Sequence, residues 1–581
     1  MSRPYQEVRP SQFVITLGPG SILETGSGPV VLKSVDTLFN EIGRNPQDFE
    51  IVDKRLSRLG LDGARIARVP TNAELGLPSD RTIYPTHAFP FWSLCTQHRP
   101  HQVLYETGNG CPECPSVSAP QRREKAGREA IRFVQACENG HLDEVHWHGL
   151  VHEGGGCGTK YYLWHGGGRA LRLVRIECPR CHATANFGQA YAKSWRCSGR
   201  IVEHGGRPAQ TTTARCVQKS RIVQRGAANL RLSLLQSALT IMDMPTRLHD
   251  ILNDPSLMGA VGALHRRGLL DQVALMEEAE QVGLARGAIE YLKQTNWSEI
   301  SKAFDELLGA GNTGSSSLRD DELDRLRQAA TSGVPAVPHP HPGSPPLFEV
   351  RQDDVRLVQG PVRRHRLRVA PVSRLRMVMV QTGYQRLDPQ KAQKMSTAFD
   401  WNGTTWYPGI ELFGEGVFID LAGDSLTLAG SRANQWNDRC RSDPDGDPSV
   451  HPAHVWWHTL SHRLLRSLSV DSGYSSAAIR ERVYLSTQDG RVTGSGLLLY
   501  TVQPGGDGTL GGLVALVNRF EQVLSHALRD VESCSNDPLC QEAPSAGAEG
   551  VACYSCLLAS ETSCEHRNQG LDRLLLAENL P

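Results

Sequence analysis

Fifteen cysteines are the residues in this sequence best equipped for chemistry, and their spacing points to metal. Three of the pairs are Cys-x-x-Cys: Cys111/Cys114, Cys178/Cys181 and Cys553/Cys556. Such a turn offers two thiolates to one ion, and a second turn supplies the other two corners of a zinc tetrahedron. The first expected site is Cys95, His98, Cys111 and Cys114. The second is Cys178, Cys181, Cys197 and Cys216, with Cys137 and Cys157 as rivals for a position. The third draws on Cys534, Cys540, Cys553, Cys556 and Cys564, five candidates for four places. The set without Cys564 is preferred because its two knuckles face each other across a loop. Up to three closed cages of structural Zn2+ are therefore expected, holding loop-rich regions together rather than activating water. An odd number of cysteines, with no apolar signal core at the start of the chain, argues against a disulfide framework.

Two histidine groupings invite the same question. His141, His146, His148 and His152 lie within twelve residues, with Asp143 and Glu144 among them. Their spacing does not match His-Glu-x-x-His, so structural or capping roles are preferred over a zinc-dependent hydrolase or nuclease. His454, His458 and His462 share one helical stripe, expected to make hydrogen bonds at an interface rather than to bind metal.

The basic candidate is the run 351–376. Arg363, Arg364, Arg366, Arg368, Arg374 and Arg376 stand there against few acids. On a strand, Arg364, Arg366 and Arg368 share a face and form a ladder with a repeat of about 6–7 Å. Contact with double- or single-stranded DNA competes there with the reading of a charged edge strand. The formal net charge of +0 gives no general attraction to nucleic acid. Only ten of the 62 basic residues are Lys, a bias that high genomic GC content would also produce.

No Gly-x4-Gly-Lys-Ser/Thr loop occurs, so no ATPase engine is visible. The glycine string from Pro504 to Leu513 reads as a tight turn rather than a dinucleotide-binding loop. No apolar run reaches membrane-spanning length, and a cytoplasmic location is expected.

The elements that must position these residues fall into five stretches: a β-rich 1–85, a cysteine-rich 86–225 with zinc-ribbon-like inserts, a helical 226–310, a Pro/Gly/Ser-rich linker 311–346 containing one charged helix, and a mixed α/β zinc-binding region 347–581. Phe13–Thr16 and Val30–Leu32 read as strands, Leu230–Ile241 and Gln272–Lys293 as helices by their apolar spacing. His454–Leu468, Leu318–Ala330 and Leu510–Val531 also read as helices. The fold class expected is multidomain α+β.

Ordered blocks along the chain resemble the DrmB family of the bacterial DISARM anti-phage system. They are Arg9-Pro-Ser-Gln12 with Gly18-Pro-Gly20, Cys137 with Asn139-Gly140-His141, Trp147 and His152, Gln224–Asn229, Arg374-Leu-Arg376, Gly383-Tyr384 and Gly414-Glu415-Gly416. His458-Thr-Leu-Ser-His462, Glu481-Arg482, Tyr500-Thr501, Asp507–Leu513, Cys553-x-x-Cys556 and Leu571-Asp572-Arg573 continue the series. The last region also resembles the zinc-binding domain carried by MrfA-type DNA repair helicases, with cysteines more widely spaced. The resemblance implies a non-catalytic DNA-binding and scaffolding subunit that pairs with a helicase-like ATPase of the DrmA type.

Overall fold

The computed structural model describes residues 7–78, 81–114, 128–153, 155–166, 170–205, 216–241, 247–252, 254–308, 317–339, 343–388, 391–423, 425–443, 447–488, 491–503, 511–542, 550–560 and 562–581. Most of the glycine string from Pro504 to Leu513, and residues 311–316 and 340–342 of the expected linker, lie outside them. The chain forms two compact units, 1–238 with 377–412 and 239–376 with 413–581. Neither is contiguous, because the strands Arg366–Gln385 and Thr404–Leu421 each contribute residues to both. The expected boundary at 346/347 therefore does not separate compact bodies: 377–412 belongs with the N-terminal residues.

In the first unit a three-stranded sheet is made of Ile22–Thr25, Gly28–Leu32 and Thr86–Ala88. A six-stranded sheet runs in the order Thr184–Asn186, Arg175–Glu177, Tyr161–His165, Gln102–Glu106, Trp92–Cys95, Arg128–Ala130. A four-stranded sheet runs Ser194–Arg196, Lys219–Gln224, Phe133–Cys137, Leu142–Glu144. Trp147, Tyr162, Trp164, Phe133 and Phe187 fill the core beside these cysteine-bearing strands. The expected strand Phe13–Thr16 is instead the helix Pro10–Ile15. Proline at its first position has no amide proton to miss, and the Gln12 side chain accepts from the Arg9 N–H at 3.0 Å, closing the N-terminus.

Arg386, fully buried, ties this unit together. Its Nε donates to the Gly140 carbonyl (2.9 Å), Nη1 to Leu230 (2.9 Å) and Nη2 to Gly20 (3.1 Å). Gly140 has φ +80, and a Cβ there would stand 2.2 Å from Met395 Cγ, so both backbone and space call for glycine.

In the second unit, residues 413–420 of the strand Thr404–Leu421 pair with Arg491–Gln503, which pairs with Ile479–Gln488. The helix Pro452–Asp471 covers one face, with Phe520–Leu528 against it, burying Trp456, Trp457, Leu460, Leu464 and Leu468. Neighbouring residues on Ile479–Gln488 point to opposite faces. Glu481 meets the helix Pro452–Asp471, while Arg482 meets the helix Leu318–Thr331 on the other side. That second helix, expected as a charged element within a linker, is instead a packed one. Leu323 and Leu326 are buried, and so is Glu322, whose carboxylate accepts from Arg482 Nε (2.6 Å), Arg482 Nη2 (2.9 Å) and Tyr484 Oη (3.2 Å).

Among the described residues of 247–308, five helices surround their own core of Leu257, Val261, Leu275, Leu292, Ile300 and Phe304. The expected helix Gln272–Lys293 is two, Gln272–Gln281 and Arg286–Gln294, parted at Gly283 with φ +75. The expected helix Leu230–Ile241 is mainly the strand Leu232–Leu239.

Candidate metal centres

None of the 15 cysteines is in a disulfide, and most of them converge in groups of four ligand atoms. Cys95 lies at the end of the strand Trp92–Cys95, and Cys111 and Cys114 form a turn after the strand Gln102–Glu106 that pairs with it. His98 Nε2 stands 3.2 Å from Cys111 Sγ and 3.5 Å from Cys114 Sγ, and Cys95 and Cys114 Sγ are 3.7 Å apart. The structure therefore brings together the four residues of the first expected set.

The second expected set is not one site. Cys197 and Cys216 converge with Cys137 and His141, while Cys178 and Cys181 converge with Cys157 and His152. The strand order gives the reason. Cys137 ends the strand Phe133–Cys137, which pairs with Lys219–Gln224; that strand pairs in turn with Ser194–Arg196, whose next residue is Cys197. Cys178 follows the strand Arg175–Glu177, in a different sheet. Cys137 and Cys157, treated as rivals in the sequence, each complete a set. His141 Nδ1 is 3.3 Å from Cys137 Sγ and 3.6 Å from Cys197 Sγ, and Asn139 Nδ2 donates to Cys216 Sγ at 3.5 Å. Of the remaining clustered histidines, His148 bonds the Cys157 carbonyl through Nε2 (2.8 Å), and His146 sits at the head of the helix Trp147–His152. Neither joins a metal set among the described residues.

Near the C-terminus Cys534, Cys540, Cys553 and Cys556 converge. The buried Arg573 holds this knuckle, donating to Asp537 and to the Glu532 carbonyl. Cys564 lies elsewhere, with His458, His462 and Glu481.

Geometry tests whether these sets suit zinc. A tetrahedron with Zn–S of about 2.3 Å has S···S edges of about 3.8 Å. The observed edges are 3.7 Å for Cys95–Cys114, 3.5 Å for Cys137–Cys197, 3.6 Å for Cys157–Cys178, 3.5 Å for Cys534–Cys553, 3.7 Å for Cys540–Cys556 and 3.8 Å for Cys553–Cys556. Backbone N–H groups two residues on point at the sulfurs of Cys178, Cys197 and Cys534, each at 3.4 Å. Burial raises the Cys178 thiol, but the N–H groups of Cys181 and Arg180 bring it down to about 6, where thiolate is available at neutral pH. His152 donates from Nδ1 to the His148 carbonyl (3.2 Å), and its buried Nε2 makes no hydrogen bond among the described residues, as suits a metal ligand. The four sets fit structural zinc, one set more than the three drawn from the cysteine spacing.

The arginine run divides. Arg363, Arg364 and Arg366 are exposed, and Arg374 is half-buried. Arg364 reaches Asn579 Oδ1 at 3.0 Å. Arg368 donates from Nε to the buried Asp420 (2.9 Å), which Arg327 also contacts (3.2 Å). Arg376 is buried and donates to Thr240 Oγ1 at 2.9 Å. The ladder expected of Arg364, Arg366 and Arg368 does not form. Arg364 precedes the strand Arg366–Gln385, and Arg368 is committed to an internal ion pair.

Fold and sites together define a two-unit α+β protein stapled by cysteine-rich zinc cages. Residues 9–232 match the family described as Domain of unknown function (DUF8724), and residues 460–557 match the MrfA Zn-binding domain. The Cys534–Cys556 set lies inside that second match. The chain is 25% identical over 587 residues to DISARM protein DrmB of Bacillus paralicheniformis, covering 92% of this chain and 95% of the relative. The resemblance drawn from the ordered blocks is thus matched over nearly the whole length. The crystal structure of DUF1998 helicase MrfA bound to DNA is 12% identical over 37% of this chain, with a TM-score of 0.20. The chain spans under a quarter of that helicase. Among the described residues no helix is long and apolar enough to cross a membrane.

Proposed function

We propose that this chain is a non-catalytic, DNA-binding and scaffolding subunit of a DISARM-type anti-phage system, working beside a helicase-like ATPase of the DrmA type in the cytoplasm. The observation that carries the reading is the end-to-end similarity to DISARM protein DrmB. The chemistry of the sites supports it. Four closed Cys and His sets use all four ligand positions, so a zinc ion held in them keeps no corner for a substrate or an activated water. The sequence has no Walker loop with which to drive a motor of its own. The DNA contact rests on the exposed part of the arginine run, Arg363, Arg364 and Arg366.

The test is reconstitution with the neighbouring ATPase. The purified chain alone hydrolyses no ATP, co-purifies with the ATPase at moderate salt, and binds DNA with an affinity that falls as salt rises. In Arg363→Glu/Arg366→Glu, affinity drops for all sequences and the log–log salt slope shrinks by about 0.9 for each phosphate that is no longer neutralised. ATP hydrolysis by the isolated chain, failure to co-purify, or an unchanged salt slope in the variant contradicts the catalytic, partner and DNA parts of the proposal respectively.

A further inference from the structure

The deepest polar cluster of the second unit is not one of the cysteine knuckles. His458 and His462 lie one turn apart on the helix Pro452–Asp471, Glu481 is on the strand Ile479–Gln488, and Cys564 is in the turn that follows the C-terminal knuckle. His458, His462 and Glu481 have no exposed surface, and Cys564 has 4%. Nothing in the knuckle accounts for them. They share no ligand with Cys534, Cys540, Cys553 and Cys556, and His458 and Cys564 lie outside the residues that match the zinc-binding family.

Three observations fix what the cluster is built to hold. The first is which ring nitrogens are free. A carbonyl oxygen can only accept, so His458 donates from Nδ1 to Gly570 (3.2 Å) and His462 donates from Nδ1 to Leu557 (2.9 Å). Both rings therefore turn Nε2 inward, the arrangement in which an outer hydrogen bond orients a histidine that ligates metal. The second is what those nitrogens meet. His458 Nε2 is 2.9 Å and His462 Nε2 is 3.3 Å from the same carboxylate oxygen, Glu481 Oε1, and His458 Nε2 is 3.2 Å from Cys564 Sγ. With neutral rings, lone pairs face lone pairs across this space, and a cation between them removes the conflict. Edges of about 3.3–3.6 Å are expected for a tetrahedron of N, O and S around zinc. The other carboxylate oxygen of Glu481 is taken by the Ser461 hydroxyl, and Cys564 Sγ accepts from the Asn568 N–H at 3.2 Å. The third is charge. A divalent ion with one carboxylate, one thiolate and two neutral imidazoles is neutral overall, which a fully buried site demands.

We propose that His458 Nε2, His462 Nε2, Glu481 Oε1 and Cys564 Sγ form a separate, closed zinc site that bolts the helix Pro452–Asp471 and the strand Ile479–Gln488 to the C-terminal turn. His454, the third member of the histidine stripe, stands outside it and pairs with His566 at 3.3 Å between Nε2 atoms. The inference is independent of the DNA-binding reading.

The deciding measurement is an anomalous difference map from crystals of the full wild-type chain, with data collected on both sides of the zinc edge. A peak among His458, His462, Glu481 and Cys564, distinct from the peak among Cys534, Cys540, Cys553 and Cys556, is the expected result. Density at the knuckle with none at the buried cluster overturns the proposal and leaves a metal-free hydrogen-bonded core. In solution, Glu481→Gln and Cys564→Ser each lose one zinc per chain by elemental analysis while the knuckle keeps its own. A folded Glu481→Gln chain with wild-type zinc content also overturns it. If the variants fail to fold, the wild-type map alone decides.

Discussion

Single side chains show where burial overrides the chemistry that spacing advertises. Glu144 ends the strand Leu142–Glu144 and accepts the Phe91 N–H through Oε1 at 2.6 Å, while its Oε2 is buried with no hydrogen bond among the described residues. Desolvation outweighs that bond and, with the neighbouring Asp143 charge, pushes the carboxyl up from 4.5 to about 7. The unfolded chain loses this proton near 4.5. Between about 4.5 and 7 the folded state keeps a proton that the unfolded chain has released, so stability falls as pH rises through that window. The penalty is complete above pH 7 and reaches up to about 3 kcal/mol. Glu144→Gln, which keeps an acceptor but no charge, should melt higher than wild type at pH 8 and alongside it at pH 4.5. An equal offset at both pH values would show that ionisation is not the cause. The arginine run teaches the same lesson in reverse. Alternation places Arg366 and Arg368 on one face correctly, but their partners are invisible in the sequence: Asp420 lies 52 residues beyond Arg368, and only the pairing of the long strands brings it near.

At the scale of elements, strongly periodic helices are legible in the sequence and short apolar runs are not. Pro452–Asp471 has a proline at its start and an apolar stripe through its length, and it is a helix. Leu232–Leu239 carries helix-like spacing but is recruited as a strand at the end of the large sheet, because tertiary pairing outweighs local preference in a run this short. The helix Leu318–Thr331 stands where its spacing predicts, with a different role. Its charge pattern reads as solvated, yet Glu322 is its most buried acid. The Glu322–Arg482 pair is closed to water on both sides; Arg482 Nη1 also meets Glu565 at 3.2 Å, so removing Glu322 leaves the buried guanidinium with one carboxylate in place of two. Glu322→Ala should therefore be destabilising by up to about 3–5 kcal/mol in denaturant melts, the upper end being the loss for a buried charge left wholly unpaired. Glu322→Leu combined with Arg482→Met should cost less than Glu322→Ala alone, since an apolar pair of similar bulk replaces the ions while Glu565 keeps Arg319. A surface helix, by contrast, would tolerate Glu322→Ala within about 0.5 kcal/mol.

For the whole molecule, what the cysteine spacing could not reveal is partition. Knuckles announce themselves at x-x separations, and Cys111/Cys114, Cys178/Cys181 and Cys553/Cys556 all lie in metal sets. The fourth cage has no such pair and is assembled by the sheets alone, which bring Cys137 and Cys197 together from 60 residues apart. His141 and His152 could have been singled out by one signal, each lying near a cysteine left without a pair, Cys137 and Cys157. The partition is open to direct measurement, because one ribbon of Cys178, Cys181, Cys197 and Cys216 and two separate cages predict different losses of metal. Cys178→Ser and Cys197→Ser should each remove one zinc, and the double variant should remove two. A single ribbon would lose one zinc in all three. Since metal binding in such cages supplies folding free energy on the order of 10 kcal/mol, the losses should also be local. Hydrogen exchange should rise around Cys157–Cys181 in the first variant and around Cys137–His141 in the second, with both regions released only in the double. Exchange that rises in both regions when either cysteine is replaced would mean that the two cages fold as one unit, even if they hold two ions.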